Sequence, residues 1–212
     1  MCTHPDIKAV SFVGANTAGE YIYKTCSEHG KRCQSNMGAK NHAIIMPDAD
    51  KEDAMNAMVG ACFGSTGQRC MAISVSVMVG SSQDWIPEIM EKTKTLRVGR
   101  GDDNADIAPL NNPAALEQLH KHLAATEAQG GKIILDGRKI DVEGLPRGNW
   151  IGPTIVDHAK PGMACYDNEL FAPVMVIVRV DTLDEAIKLI NKNEFGNGVA
   201  IFTKSGGNAR KF

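Results

Sequence analysis

Short runs of β-branched residues alternate with segments of helical period along the whole chain, and that alternation leaves few folds open. Residues 9–13, 43–46, 73–79, 132–135, 154–156, 174–180 and 199–202 read as strands. Helices read over 17–29, 85–96, 113–128 and 184–191, with another after the Asp50 cap, where Ala54, Met55, Met58, Val59 and Cys62 recur at helical spacing. Pro113 opens one of these helices and Gly130-Gly131 closes it. The pattern predicts an α/β fold with a largely parallel sheet and flanking helices. The first strand, in KAVSFVG, is apolar enough to be buried on both faces, yet no element precedes it. The last residues, AIFTKSGGNARKF, run through a strand into the start of a helix. Both ends therefore read as cuts through a larger fold.

Composition excludes several function classes. The 212 residues carry a net charge of −2, which gives no electrostatic case for nucleic acid or an anionic membrane. No apolar run approaches the roughly 20 residues that cross a bilayer. The six cysteines, Cys2, Cys26, Cys33, Cys62, Cys70 and Cys165, form no CxxC pair. That spacing argues against a zinc site and a secreted disulfide framework, and for a reducing compartment. No targeting peptide is visible. His120 and His122, two apart on a helix, share no face for a metal.

Four segments bear chemistry. In FVGANTAG (12–19), Gly14 follows a strand and leads into a helix N-terminus, where unpaired N–H groups attract phosphate. It is not GxGxxG, and a plain turn is the other reading. In NMGAKNH (36–42), the Gly-Ala step permits close backbone approach, or serves as an interdomain linker. In FGSTGQRCM (63–71), Gly64, Ser65, Thr66 and Gly67 stop a helix and present Cys70 at a turn, as a nucleophile or as an inert core thiol. Arg69 beside it either lowers the thiol pKa or points away. In NELFAPV (168–174), Glu169 is placed to accept ribose hydroxyls, or is a solvated turn carboxylate. His42 reads as a packed linker histidine or a ligand contact, and Cys62 as core.

In order and spacing, these four segments resemble the aldehyde dehydrogenase superfamily. LRVGRGDDNADIAPL and GNWIGPTIV extend the likeness over essentially the whole chain. NMGAKNH with GQRCM looks like its CoA-acylating methylmalonate-semialdehyde dehydrogenase branch. The resemblance implies that Cys70 is the nucleophile. It places Gly14, Ala15, Met37 and Gly38 by the NAD cofactor, and Glu169 and Phe171 on its ribose and nicotinamide. Ala15 stands where many relatives carry a hydroxyl residue, and Ala172 where many carry glycine. It further implies that residues 1–36 are the remnant of an NAD-binding domain and 37–212 a catalytic domain.

At Asn36 the hydrolytic members carry a glutamate that activates water. An amide cannot act as that base, whereas a thiol acceptor with a pKa of about 8.5 needs little help. The implied reaction is oxidation of a semialdehyde through a Cys70 thioester, with acyl transfer to coenzyme A and loss of carbon dioxide. A hydrolytic enzyme with another base, or a non-catalytic binding relative, are the alternatives. The resemblance also implies homo-oligomers assembled beyond Phe212, a mitochondrial place in a eukaryote or a cytoplasmic one in a bacterium, and no turnover by these 212 residues alone.

Overall fold

The computed structural model describes residues 1–212, and the alternation of strands and helices divides there into two units, Met1–Ala39 and Lys40–Phe212. This division lies three residues beyond the one expected after Asn36. Met37 to Ala39 stay with the first unit, where the Gly38 N–H donates to Asn16 Oδ1 at 2.7 Å.

In the first unit, β1 (Ala9–Val13) and β2 (Arg32–Asn36) pair in parallel across the helix α1 (Asn16–Glu28). β1 falls where expected but is not buried on both faces. Its residues alternate between half-buried and exposed, and Val13 is 70% exposed, because β1 has one partner strand and one covering helix within this unit. β2 was not anticipated. RCQSN shows no apolar alternation, and it is a strand because Ala9↔Arg32 through Val13↔Asn36 satisfies its backbone. Gly19 lets α1 lie close to β2: a Cβ there would sit 2.5 Å from Met37 Cγ and 2.9 Å from Ser35 Oγ.

The second unit runs β3 (Asn41–Ile45), α2 (Lys51–Phe63), β4 (Ile73–Val79), α3 (Ile86–Lys94), α4 (Pro113–Ala128), β5 (Lys132–Leu135), β6 (Thr154–Asp157), α5 (Ala164–Asp167), β7 (Val174–Val180), α6 (Leu183–Asn191), β8 (Val199–Phe202) and α7 (Gly206–Lys211). Its strands form one sheet in the order β5-β6-β7-β4-β3-β8, parallel throughout except where β5 meets β6. The period of two sorts its core. Ile44, Val75, Val77, Val174 and Val176 face α4 and α6, through Leu119, Leu123 and Leu183. Ala43, Ile45, Met78, Met175 and Ile177 face α2 and α3, through Met55, Met58, Cys62 and Ile89. The expected helix over 85–96 is shorter at both ends: a 3₁₀ turn over Gly80–Trp85 takes up its first residue, and Thr95 N and Leu96 N bond three residues back, to Lys92 O and Thr93 O. Asp50 caps α2 by accepting from the Asp53 N–H.

Candidate active site

Parallel strands put their entrances on one edge of a sheet. β3, β4, β7 and β8 are mutual neighbours in that sense, so the segments that lead into them emerge together. Those segments carry Asn41, Cys70, residues 168–173 and Asn197-Gly198.

Cys70 is exposed, so it is not the inert core thiol, and its loop is held from several directions. After α2 the chain makes a 3₁₀ turn with Ser65, Thr66 and Gly67 at φ of 51°, 60° and 64°. Thr66 Oγ1 donates to Ala108 O at 3.1 Å and accepts from Ala108 N at 2.9 Å. The Gln68 amide donates to Pro109 O and accepts from Asn111 N. Gly67 is required for contact as well as φ, since a Cβ there would lie 2.1 Å from the Ala172 carbonyl oxygen. The Cys70 loop and NELFAPV are thereby packed backbone to backbone.

Two amides then converge on Cys70. Asn41 Nδ2 donates to Cys70 O at 2.7 Å and to Ala72 O at 2.8 Å, while its Oδ1 accepts from Gly198 N at 2.8 Å. Asn197 Nδ2 donates to the same Cys70 carbonyl at 2.6 Å. Arg69 points away from the thiol: its guanidinium donates to Gly60 O and Ala61 O in the last turn of α2, where a cation also suits the helix dipole. Of the two readings of Arg69, this is the second.

The NELFAPV segment has its own anchor. Lys40 is buried, and its ammonium donates to Cys165 O and Asn168 O, both at 2.6 Å. Burial lowers its pKa to about 8. Glu169 is half-buried, and Phe171 is 41% exposed at φ 49°, a conformation costly for an aromatic residue. His42 is a buried strand residue rather than a linker histidine. Its Nδ1 lies 2.7 Å from Lys40 O, which can only accept, so Nδ1 carries the proton and Nε2 accepts from Tyr166 Oη at 3.0 Å. Burial pushes its pKa down to about 4 and that of the Cys62 thiol, as a core residue, up to about 12.

The first unit gathers its own candidates. The Gly14 N–H donates to Asn36 O at 3.1 Å and the Gly38 N–H to Asn16 Oδ1, which brings Gly14, Ala15, Met37 and Gly38 to the carboxyl end of β1 and β2. Ala15 offers α1 no side-chain cap, and the first helical bond there runs from Gly19 N to Ala15 O. The N–H groups of the first turn therefore point out without intrahelical acceptors, an arrangement that fits a cofactor phosphate.

Sequence reasoning passed over Lys40, Asn41, Asn197, Thr66 and Gln68 as site-building residues. Lys40 and Asn41 lie inside the NMGAKNH segment, but nothing in their spacing shows that their partners are more than 25 residues away. No group of three His, Cys, Asp or Glu side chains is arranged to hold a metal ion, and no helix is long and apolar enough to cross a membrane.

Comparison with known proteins agrees with this geometry. The model of the aldehyde dehydrogenase family matches residues 1–212. The acylating methylmalonate-semialdehyde/malonate-semialdehyde dehydrogenases of Bos taurus and Homo sapiens, both named mitochondrial, are each 54% identical over 213 residues. The chain is covered entirely and spans 40% of the length of each. The crystal structure of the methylmalonate-semialdehyde dehydrogenase of Oceanimonas doudoroffii matches with a TM-score of 0.95 at 43% identity, over 100% of this chain and 44% of its own. Betaine aldehyde dehydrogenase of Staphylococcus aureus, solved with NAD+, matches with a TM-score of 0.95 at 27% identity, over 100% of this chain and 42% of its own. A family match over every residue, on a loop that anchors one exposed cysteine, establishes that the chain belongs to the aldehyde dehydrogenase family.

Proposed function

We propose that this chain carries the nucleophile of an NAD-dependent, CoA-acylating oxidation of a semialdehyde, methylmalonate or malonate semialdehyde. The supporting observation is the exposed Cys70 on a loop pinned through Thr66, Gly67, Gln68, Asn41 and Asn197. The names of the relatives and the NAD+ in the S. aureus structure support the cofactor and the acceptor.

In this reading the Cys70 thiolate adds to the aldehyde carbon, and the carbonyl oxygen becomes an oxyanion. The Cys70 N–H, which makes no backbone hydrogen bond, donates to it. NAD, when bound, accepts the hydride. Cys70 is left as a thioester, which the thiolate of coenzyme A attacks, and the Cys70 thiolate leaves. A β-carboxylate on the acyl group departs as carbon dioxide, and the α-carbon left as an enolate takes up a proton from water. Asn36 has no titratable lone pair to activate water, so thiol transfer prevails over hydrolysis. On the first unit, Gly14, Ala15, Met37 and Gly38 are assigned to NAD, with a phosphate at the open first turn of α1. On the second, Glu169 and Phe171 are assigned to its ribose and nicotinamide. The same reading makes the complete enzyme a homo-oligomer, mitochondrial in a eukaryote, and expects no turnover from these 212 residues alone.

The test grafts this chain in place of the matching segment of the O. doudoroffii enzyme. With semialdehyde, NAD and CoA the chimera is expected to form NADH and an acyl-CoA, and Cys70→Ala to cost on the order of 10⁴-fold in kcat. A folded chimera that forms free acid at full rate without CoA defeats the acylating reading. Turnover unaffected by Cys70→Ala defeats the catalytic one.

A further inference from the structure

Three of the six thiols lie together in the first unit, remote in chemistry from the Cys70 loop. Cys26 is fully buried in the last turn of α1, while Cys2, before β1, and Cys33, within β2, are half-buried. Cys2 and Cys33 are the two thiols near enough to Cys26 to raise its pKa, and all three are free thiols. The unit's own geometry collects them. Ser35 Oγ donates to Gly19 O, so that face of β2 looks at α1, and Cys33 shares it at a spacing of two. Cys26 lies seven residues beyond Gly19, two helical turns along the same side. The segment before β1 is folded back onto them by Lys31, whose ammonium donates to His4 O and Ile7 O while its N–H donates to Cys26 O at 2.9 Å.

We propose that Cys2 and Cys26 form a redox-modification site, a disulfide that closes when the protein meets a peroxide and opens to a thiol reductant. Cys2 is the half-exposed member, so its sulfur attacks the peroxide O–O bond, giving a sulfenic acid and one water. The Cys26 sulfur then displaces hydroxide from Cys2, forming the S–S bond and a second water. Two thiols are oxidised by two electrons, the peroxide is reduced by two, and both thiol protons leave as water. Cys26 acts second because burial, with its two neighbouring thiols, holds its pKa near 11.

Cys2 is preferred over Cys33 as the partner on mechanical grounds. A disulfide needs Cα atoms about 4.4–6.8 Å apart and a defined dihedral. Cys33 is fixed by its strand pairing opposite Val10 and Cys26 by its helix, whereas Cys2 lies outside regular structure and can move to meet that geometry.

Trypsin separates the three thiols onto residues 1–8, 25–31 and 33–40, so the experiment reads the bond directly. The reduced 212-residue chain is treated with one equivalent of hydrogen peroxide, its free thiols are alkylated, and the digest is mass-analysed. The expected result is peptide 1–8 joined to 25–31, lost on dithiothreitol, absent from Cys2→Ser and retained in Cys33→Ser. A bond between 25–31 and 33–40 overturns the proposal. So does oxidation confined to Cys70, with all three of these cysteines recovered alkylated.

Discussion

At the scale of single residues, the site rests on groups whose charge state burial decides. His42 is neutral in the folded protein, with a proton on Nδ1 and a pKa near 4, whereas an unfolded histidine takes a proton near pH 6.5. Between those values the unfolded chain binds more protons, so stability is lost as pH falls from about 6.5 toward 4. The full shift corresponds to on the order of 3 kcal/mol. His42→Gln should therefore be less stable at pH 7.5 but lose less between pH 7.5 and 4.5 than the parent chain, as read from urea midpoints. Equal losses in the two proteins would mean that His42 does not set this dependence.

At the scale of elements, two glycines seven residues apart, Gly60 in α2 and Gly67 just past it, should respond with opposite sign. A Cβ at Gly60 meets nothing within 4 Å, and the residue lies in a helix interior, where alanine is favoured over glycine by about 0.5–1 kcal/mol. Gly67→Ala instead combines φ +64° with a 2.1 Å clash against the Ala172 backbone oxygen. Gly60→Ala should raise the thermal midpoint. Gly67→Ala should lower stability by about 2–4 kcal/mol and slow the alkylation of Cys70, because the Cys70 loop must leave NELFAPV. A Gly67→Ala protein with parental melting and thiol reactivity would show the loop to be more adaptable than its packing suggests.

At the scale of the whole molecule, the two units bury very different amounts of side chain. In Met1–Ala39 only Gly19, Cys26 and Ala39 are fully buried, and the sheet has two strands, which is marginal for independent stability. Lys40–Phe212 has a six-stranded sheet with apolar clusters on both faces. Hydrogen exchange followed by mass spectrometry should find the amides of β1 and β2 at least about tenfold less protected than those of β3, β4 and β7. Equal protection would mean that the chain unfolds as one cooperative body.

What the sequence determined by itself is whatever depends on local pattern. β4, α4, β5, β7 and β8 fall within the expected bounds because runs such as ISVSVMV and VMVIVRV are apolar at nearly every position, as central parallel strands must be. The turn before Cys70 was legible because glycine and small polar residues stop a helix wherever they stand, and the family was legible because four such segments recur in order. The tertiary structure alone decided the rest. β2 exists because β1 offers it hydrogen bonds, which RCQSN does not announce. Lys40, Asn41 and Asn197 build the surroundings of Cys70 through partners up to 128 residues away, and Arg69, adjacent in sequence, does not. Side-chain periodicity reports which face of an element is buried. It carries no record of which distant carbonyl a buried ammonium or amide will meet, because that is set only when parallel strands bring their entrances to one edge.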